Sequence, residues 1–282
     1  MERASNGSPN HRQGTRERSK VHRVGIHSYR GGSGRTTLAA NLAYLAARAG
    51  ARVAVMDLDL QAPALHIVLG VEEKRILHSV SEFVQGQCEM KEVPIDLSRE
   101  LEVDEPGSLH LLPASPDLQT ITSILFEGYD VARLNEQVQE IAVELDLDLL
   151  IQDTHLGVNR ETLLSLATSD TVLVLLRPDG QDHQGAFVLV QMAKKVGVPD
   201  CLLVPNMITI PRKSNPADVA AKIEKELCAP VAGLLPWCGE LPDFGCQRGL
   251  FAARYPGHPF TAELERACQR ILPAEARAGG RA

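Results

Sequence analysis

No stretch of about 18 apolar residues occurs in the 282-residue chain, which argues against a helix crossing a bilayer. No C-x-x-C pair occurs either. The six cysteines, at 88, 201, 228, 238, 246 and 268, are scattered, which fits isolated thiols in a reducing cytoplasm and no cysteine metal site. The start, MERASNGSPNHRQGTRERSK, lacks the apolar centre of an export signal, so a cytoplasmic location is expected. Internal repeats are absent. With 44% apolar and 23% charged residues, composition is that of an ordinary globular protein.

Charge is distributed unevenly. Residues 1–20 carry five Lys/Arg against two Asp/Glu, and residues 246–282 carry six against three, although the whole chain is at −7. Basic ends on an acidic body would allow non-specific contact with DNA, through Arg248, Arg254, Arg266 and Arg270 at the second end, or with anionic lipid. Solvated tails are the simpler reading, because neither end clusters its cations. Residues 1–20 read as a disordered basic tail and 273–282 as a flexible C-terminal one.

Between them, short apolar runs alternate with helical periodicity. Val21–His27, Arg52–Met56, Leu109–Leu112, Asp148–Gln152, Thr171–Leu176, Cys201–Pro205 and Val231–Leu235 read as strands buried on both faces. Thr36–Ala49, Val131–Leu145, Arg160–Ala167, Asp182–Val196 and Pro216–Cys228 read as helices. The order predicts an α/β fold: one doubly wound, mainly parallel sheet flanked by helices. Residues 71–108, with VEEKR and SRELEVDEPG, are more polar and are expected to form a surface excursion.

The most specific local pattern is Arg30-Gly31-Gly32-Ser33-Gly34-Arg35-Thr36-Thr37, between the first strand and the first helix. Glycines let consecutive backbone N–H groups converge on an anion, and the helix N-terminus adds its positive end. Such a loop normally carries a lysine that reaches the β- and γ-phosphates, and a Ser/Thr that holds Mg²⁺. Here arginine stands where lysine is expected, and Tyr29 replaces the first glycine of the spaced pattern. Two further pieces follow at strand ends. Asp57-Leu58-Asp59-Leu60-Gln61 closes the second strand, and Asp153-Thr154-His155-Leu156-Gly157 follows another. In α/β sheets ligands sit beyond the carboxyl ends of strands, so these carboxylates should meet the glycine loop. Asp57 could equally cap its turn.

Together these segments resemble the MinD/ParA family of deviant phosphate-loop ATPases: KGGxGKTT appears as RGGSGRTT, D-x-D-x-Q as DLDLQ, and D-[ST]-x-x-G as DTHLG. The likeness covers about residues 21–272, and Arg177-Pro178-Asp179 and Arg254-Tyr255-Pro256 add to it. It implies one ATPase domain that dimerises around two ATP molecules with Mg²⁺. Arg30 would occupy the signature position that crosses the dimer to the partner's ATP, and Arg35 the ordinary phosphate-loop lysine. Gly31, Gly32, Ser33, Gly34, Arg35, Thr36 and Thr37 would cradle phosphate, with Thr36 on Mg²⁺ and Thr37 at the α-phosphate. Asp59 would help place attacking water, and Asp153 would hold Mg²⁺ through water. Asp57 and Gly157 would complete the switches, Gly157 sensing the γ-phosphate, and Asn206 and Pro236 would meet adenine. His155 reads as incidental.

Arginine keeps the charge but is wider than lysine, and a displacement of about 1 Å can cost about 10²-fold in phosphoryl transfer. ATP binding with slow hydrolysis is therefore expected, in a dimeric switch that positions or partitions a cargo with a protein partner or activator. Two alternatives stand beside it: a nucleotide-bound scaffold impaired by Arg35, and a metabolic ATP-dependent ligase on the same fold. A reductase of the nitrogenase-iron-protein type would need paired cluster cysteines. A C-terminal membrane helix is not expected, because Ile271-Leu272-Pro273 leads into EARAGGRA, where proline and glycines oppose it.

Overall fold

The computed structural model describes residues 20–211, 214–241 and 249–273. The tails 1–19 and 274–282, and Arg248 and Cys246, lie outside the described residues. Seven strands form one sheet: β1 His22–Ser28, β2 Arg52–Leu58, β3 Ile95–Asp96, β4 Ser108–Leu112, β5 Leu149–Thr154, β6 Thr171–Leu176 and β7 Asp200–Pro205. Their order is β3-β4-β2-β5-β1-β6-β7. Only β3 is antiparallel to its neighbour. The helices are α1 Arg35–Arg48, α2 Leu65–Val68, α3 Val80–Val84, α4 Leu118–Glu127, α5 Val131–Glu144, α6 Arg160–Thr168, α7 Gly180–Val196, α8 Pro216–Leu227, α9 Phe251–Arg254 and α10 Pro259–Ile271.

The apolar runs are continuous because both sheet faces are covered. Val53 and Val55 of β2 join the core built on α1, whereas Ala54 and Met56 between them join the core beneath α5. In β6, Leu173 and Leu175 face the α1 side while Val172 and Val174 pack under α7. Alternation of side-chain direction is thus present without alternation of polarity. Helix α1 lies in the core through Leu38, Leu42 and a series of alanines, Ala39, Ala40, Ala43, Ala46 and Ala47, that are all enclosed. Small side chains let it approach the sheet closely, which fixes the loop that precedes it.

Two expectations need correction. Val231–Leu235 is not a strand: it touches β7 through the isolated bridge Leu203↔Val231, and Pro236 bridges Ile208. Ala232 donates to the Leu203 carbonyl, but Pro205 of β7 has no N–H to continue the ladder and the Leu234 amide turns to Glu263, so pairing is interrupted. Residues 71–108 are also more than a surface excursion. They contribute α3, β3 and the buried side chains Val80, Phe83, Met90, Val93 and Leu97, and β3 pairs with β4 at the sheet edge. Their charged residues mask these spaced apolar positions. Among the described residues, no helix is long and apolar enough to cross a membrane.

Candidate nucleotide site

The loop after β1 lies in the middle of the sheet, with β5 on one side of β1 and β6 on the other. Gly32 and Gly34 have φ of 73° and 95°, left-handed values that favour glycine. Gly34 is the N-cap residue of α1; among the described residues no side chain caps that end, and its first turn carries no acidic residue. Such a helix end offers its amides to an anion. A Cβ on Gly34 would lie 2.8 Å from Asn206 Nδ2, the atom that donates to the Ser33 carbonyl at 2.8 Å. Ser33 is buried, and its hydroxyl has no partner among the described residues.

The strand-tip carboxylates converge as expected. β2 and β5 pair in parallel with Asp57 opposite Asp153. Asp57 is fully enclosed and accepts the backbone amides of Asp59, Ala64 and Leu65, so it organises the loop after β2. Burial, then Asp153, push its carboxyl well above the usual carboxylate range. Asp153 is 1% exposed. It takes a hydrogen bond from the Thr36 side chain, and its Oδ1 has no partner among the described residues. Burial raises its pKa to about 6, against the pull of Thr36 and Arg35. A buried carboxylate with one unmatched oxygen beside a threonine hydroxyl is the hard-oxygen donor set a divalent cation takes.

Arg35 does not lie open to the loop. Its guanidinium is buried and donates to the Ser28 hydroxyl, the Thr154 carbonyl at 3.0 Å, Asp59 Oδ2 at 3.4 Å and the Arg30 carbonyl at 3.5 Å. Lysine has no such fork and could not make this set. The other oxygen of Asp59 is held by His155 Nδ1 at 2.7 Å. This hydrogen bond to Asp59 raises the imidazole pKa above its usual range. His155, read from the sequence as incidental, thus contacts a carboxylate of the candidate site. The register carried the signal: Leu58 pairs with Thr154 at the ends of β2 and β5, so the first residues beyond them, Asp59 and His155, come together.

Arg30 points elsewhere. It bonds Gln181 Oε1 at 2.5 Å and lies 3.8 Å from Asp179 and 4.0 Å from Asp182, all at the start of α7. Gly157 (φ 84°) donates its amide to the Ser28 carbonyl at 3.0 Å, which ties the loop after β5 to β1. Beside Gly34 lies a cavity of about 220 Å³ lined by Thr37, Asn206, Pro236, Trp237 and Phe260 among others. Ligand pockets for drug-sized molecules run to about 300–1,000 Å³, so this one suits a single ring system. Asn206 already gives one N–H to Ser33 and accepts one from the Met207 amide. One donor and one lone pair remain for a ligand.

A second cluster, Cys238, Glu240 and His258, brings its ligand atoms within 4.8 Å of one another. His258 Nδ1 accepts the Phe260 amide at the start of α10, so in the neutral ring Nε2 carries the proton. That tautomer leaves no lone pair for a metal.

A family model described as AAA domain matches residues 21–199. The chain is 28% identical over 193 residues to the flagellum site-determining protein YlxH of Helicobacter pylori, covering 68% of this chain and 60% of that protein. It is 28% identical over 270 residues to the chromosome-partitioning ATPase Soj of Thermus thermophilus, covering 91% of this chain and 99% of that one. Among solved structures, the septum site-determining protein MinD of Pyrococcus horikoshii, complexed with Mg-ADP, superposes with a TM-score of 0.76 at 16% identity, over 93% of this chain and 100% of that chain. At such identity the likeness is one of fold. Because the family model matches more than half of the chain, the chain belongs to the AAA-domain family and, by its loop motifs and sheet, to the MinD/ParA group of P-loop ATPases.

Proposed function

We propose that this chain is an ATP-binding, slowly hydrolysing switch that dimerises on ATP and positions or partitions a cargo, with residues 21–272 as its ATPase unit. The observation that carries the reading is the pairing of Thr36 with Asp153, one of whose buried oxygens lacks a partner among the described residues, at the start of α1, which no described side chain caps. Relatives named for a flagellar site and for chromosome partitioning support a positioning role in general. A protein partner or activator fits the same reading.

In this reading Gly31, Gly32, Ser33, Gly34 and Thr37 bind the phosphates through backbone and hydroxyl groups, and Asn206 and Pro236 orient the base. Thr36 directly, and Asp153 through water, would hold Mg²⁺, which neutralises charge on the phosphate oxygens. Asp59 accepts a hydrogen bond from the attacking water, while Gly157 brings the second loop against the γ-phosphate. Arg30 leaves α7 to reach the partner's nucleotide.

One observation favours a second reading, a nucleotide-bound scaffold with little turnover. Arg35 spends its donors on Ser28, Thr154 and Asp59, with a longer bond to the Arg30 carbonyl, all of them protein groups. Calorimetry with ATP and Mg²⁺ tests the shared part, and absence of binding heat would reject both readings. Phosphate release by wild type and Arg35→Lys then separates them. Measurable turnover in the wild type supports the switch; none in either protein, with ATP still bound, supports the scaffold.

A further inference from the structure

We infer that His155 is a positioning residue for Asp59, holding the carboxylate in the orientation from which it directs the attacking water. The inference rests on the ATPase reading of the site. Asp59 sits just beyond β2, and its side chain has two described partners, Arg35 Nη2 at 3.4 Å and His155 Nδ1 at 2.7 Å. The first is long for a hydrogen bond and comes from a guanidinium already committed to Ser28 and Thr154. The second is short and well within range. Alone, Arg35 would draw the carboxylate toward itself and leave its far oxygen undirected. His155 fixes that oxygen from the opposite side.

The histidine is itself well anchored. The Thr154 hydroxyl donates to the Ile26 carbonyl at 2.6 Å, and the Gly157 amide donates to the Ser28 carbonyl at 3.0 Å. Both neighbours of the His155–Leu156 segment are thus fastened to β1, and the imidazole leaves from a backbone with little latitude. Its Nδ1 must carry the proton, because the facing atom is a carboxylate oxygen that can only accept when ionised. A donor in that place is what the geometry uses, and an asparagine amide can supply one, whereas leucine cannot.

The test uses the full chain as wild type, His155→Asn and His155→Leu, with steady-state phosphate release and calorimetric ATP affinity measured for each. His155→Leu should lower kcat by about 10- to 100-fold, in keeping with the cost of a misplaced group, while ATP affinity stays within about twofold. His155→Asn should recover kcat to within a few-fold of wild type. Equal kcat in wild type and His155→Leu would overturn the inference. So would an asparagine variant as impaired as leucine, or a loss of ATP affinity parallel to that of kcat, which would mark a merely structural role. A wild type that binds no ATP fails the reading of the site itself. One that binds ATP without turnover overturns the inference by leaving no reaction for His155 to serve.

Discussion

His27 shows how one residue can tie the site to stability. It lies at the end of β1, fully enclosed, with Nδ1 3.0 Å from the Thr154 hydroxyl and Nε2 3.4 Å from that of Ser165. Burial, and then Arg35, hold its pKa down to about 3. An unfolded histidine takes a proton near pH 6.5, the folded one only near pH 3, so between those values acid favours unfolding. At pH 5 the penalty is about 2 kcal/mol. Asp57 and Asp153, raised in the folded state, act in the opposite sense over part of that range, so a single protein's profile mixes the two. The difference between wild type and His27→Asn cancels the carboxylates. Urea titrations at pH 7 and pH 5 should show wild type losing about 2 kcal/mol relative to the variant; an unchanged difference would contradict a neutral buried His27. At this scale, sequence spacing located Arg35, Thr36, Asp59 and Asp153 but not their bonds. Arg35 meets Thr154, 119 residues away, only because β5 lies beside β1. The same spatial pairing, and no local pattern, makes His155 a partner of Asp59.

Elements were legible where burial on both faces left an unbroken apolar run. β6 is Thr171–Leu176 as expected, and the ends of α5, α6 and α8 differ by no more than one residue from the sequence reading. Illegible were β3, two residues long, and α4, whose apolar Leu118, Leu125 and Phe126 are exposed and make no helical stripe against the core. The packing of α7 on the glycine loop was also hidden. A Cβ on Gly185, within α7, would overlap the Cβ and ring of Tyr29, the residue that replaces the expected loop glycine. Mid-helix glycine costs about 1 kcal/mol relative to alanine, so something must favour it there. Tyr29 is that reason. Gly185→Ala should destabilise the wild type by about 1–3 kcal/mol through overpacking. In a Tyr29→Gly background, which removes the overlapping Cβ together with the ring, the same change should stabilise by about 0.5–1 kcal/mol, because only the helix-propensity gain remains. Thermal or urea unfolding of the four proteins measures the reversal of sign. Equal effects in both backgrounds would show that Tyr29 does not set the identity of residue 185.

For the whole molecule, the decisive comparison is between the contacts Arg30 makes within the chain and those it would make across a dimer. Its pair with Asp179 is half-open to solvent, the two side chains being 44% and 43% exposed, and the buried Asp182, 4.0 Å away, is already held by Arg177 at 2.8 Å. Such surface pairs are worth about 0–1 kcal/mol, and less in salt. A triphosphate offers several negative oxygens to the same guanidinium and matches its planar fork. The tie to α7 is thus weak enough to exchange. Around the loop, Tyr29, Leu156 and Val158 are about 40% exposed, apolar surface that a second copy of the chain would cover. Under the proposed reading, light scattering of the wild type should shift from monomer to dimer on adding ATP and Mg²⁺. Arg30→Ala should remain a monomer while its calorimetric ATP affinity stays within a few-fold of wild type, because Arg30 holds α7 rather than the nucleotide of its own chain. Arg30→Lys keeps a cation of sufficient reach and should dimerise. An Arg30→Ala protein that dimerises as readily as the wild type would confine Arg30 to its contacts on α7 and remove it from the switch.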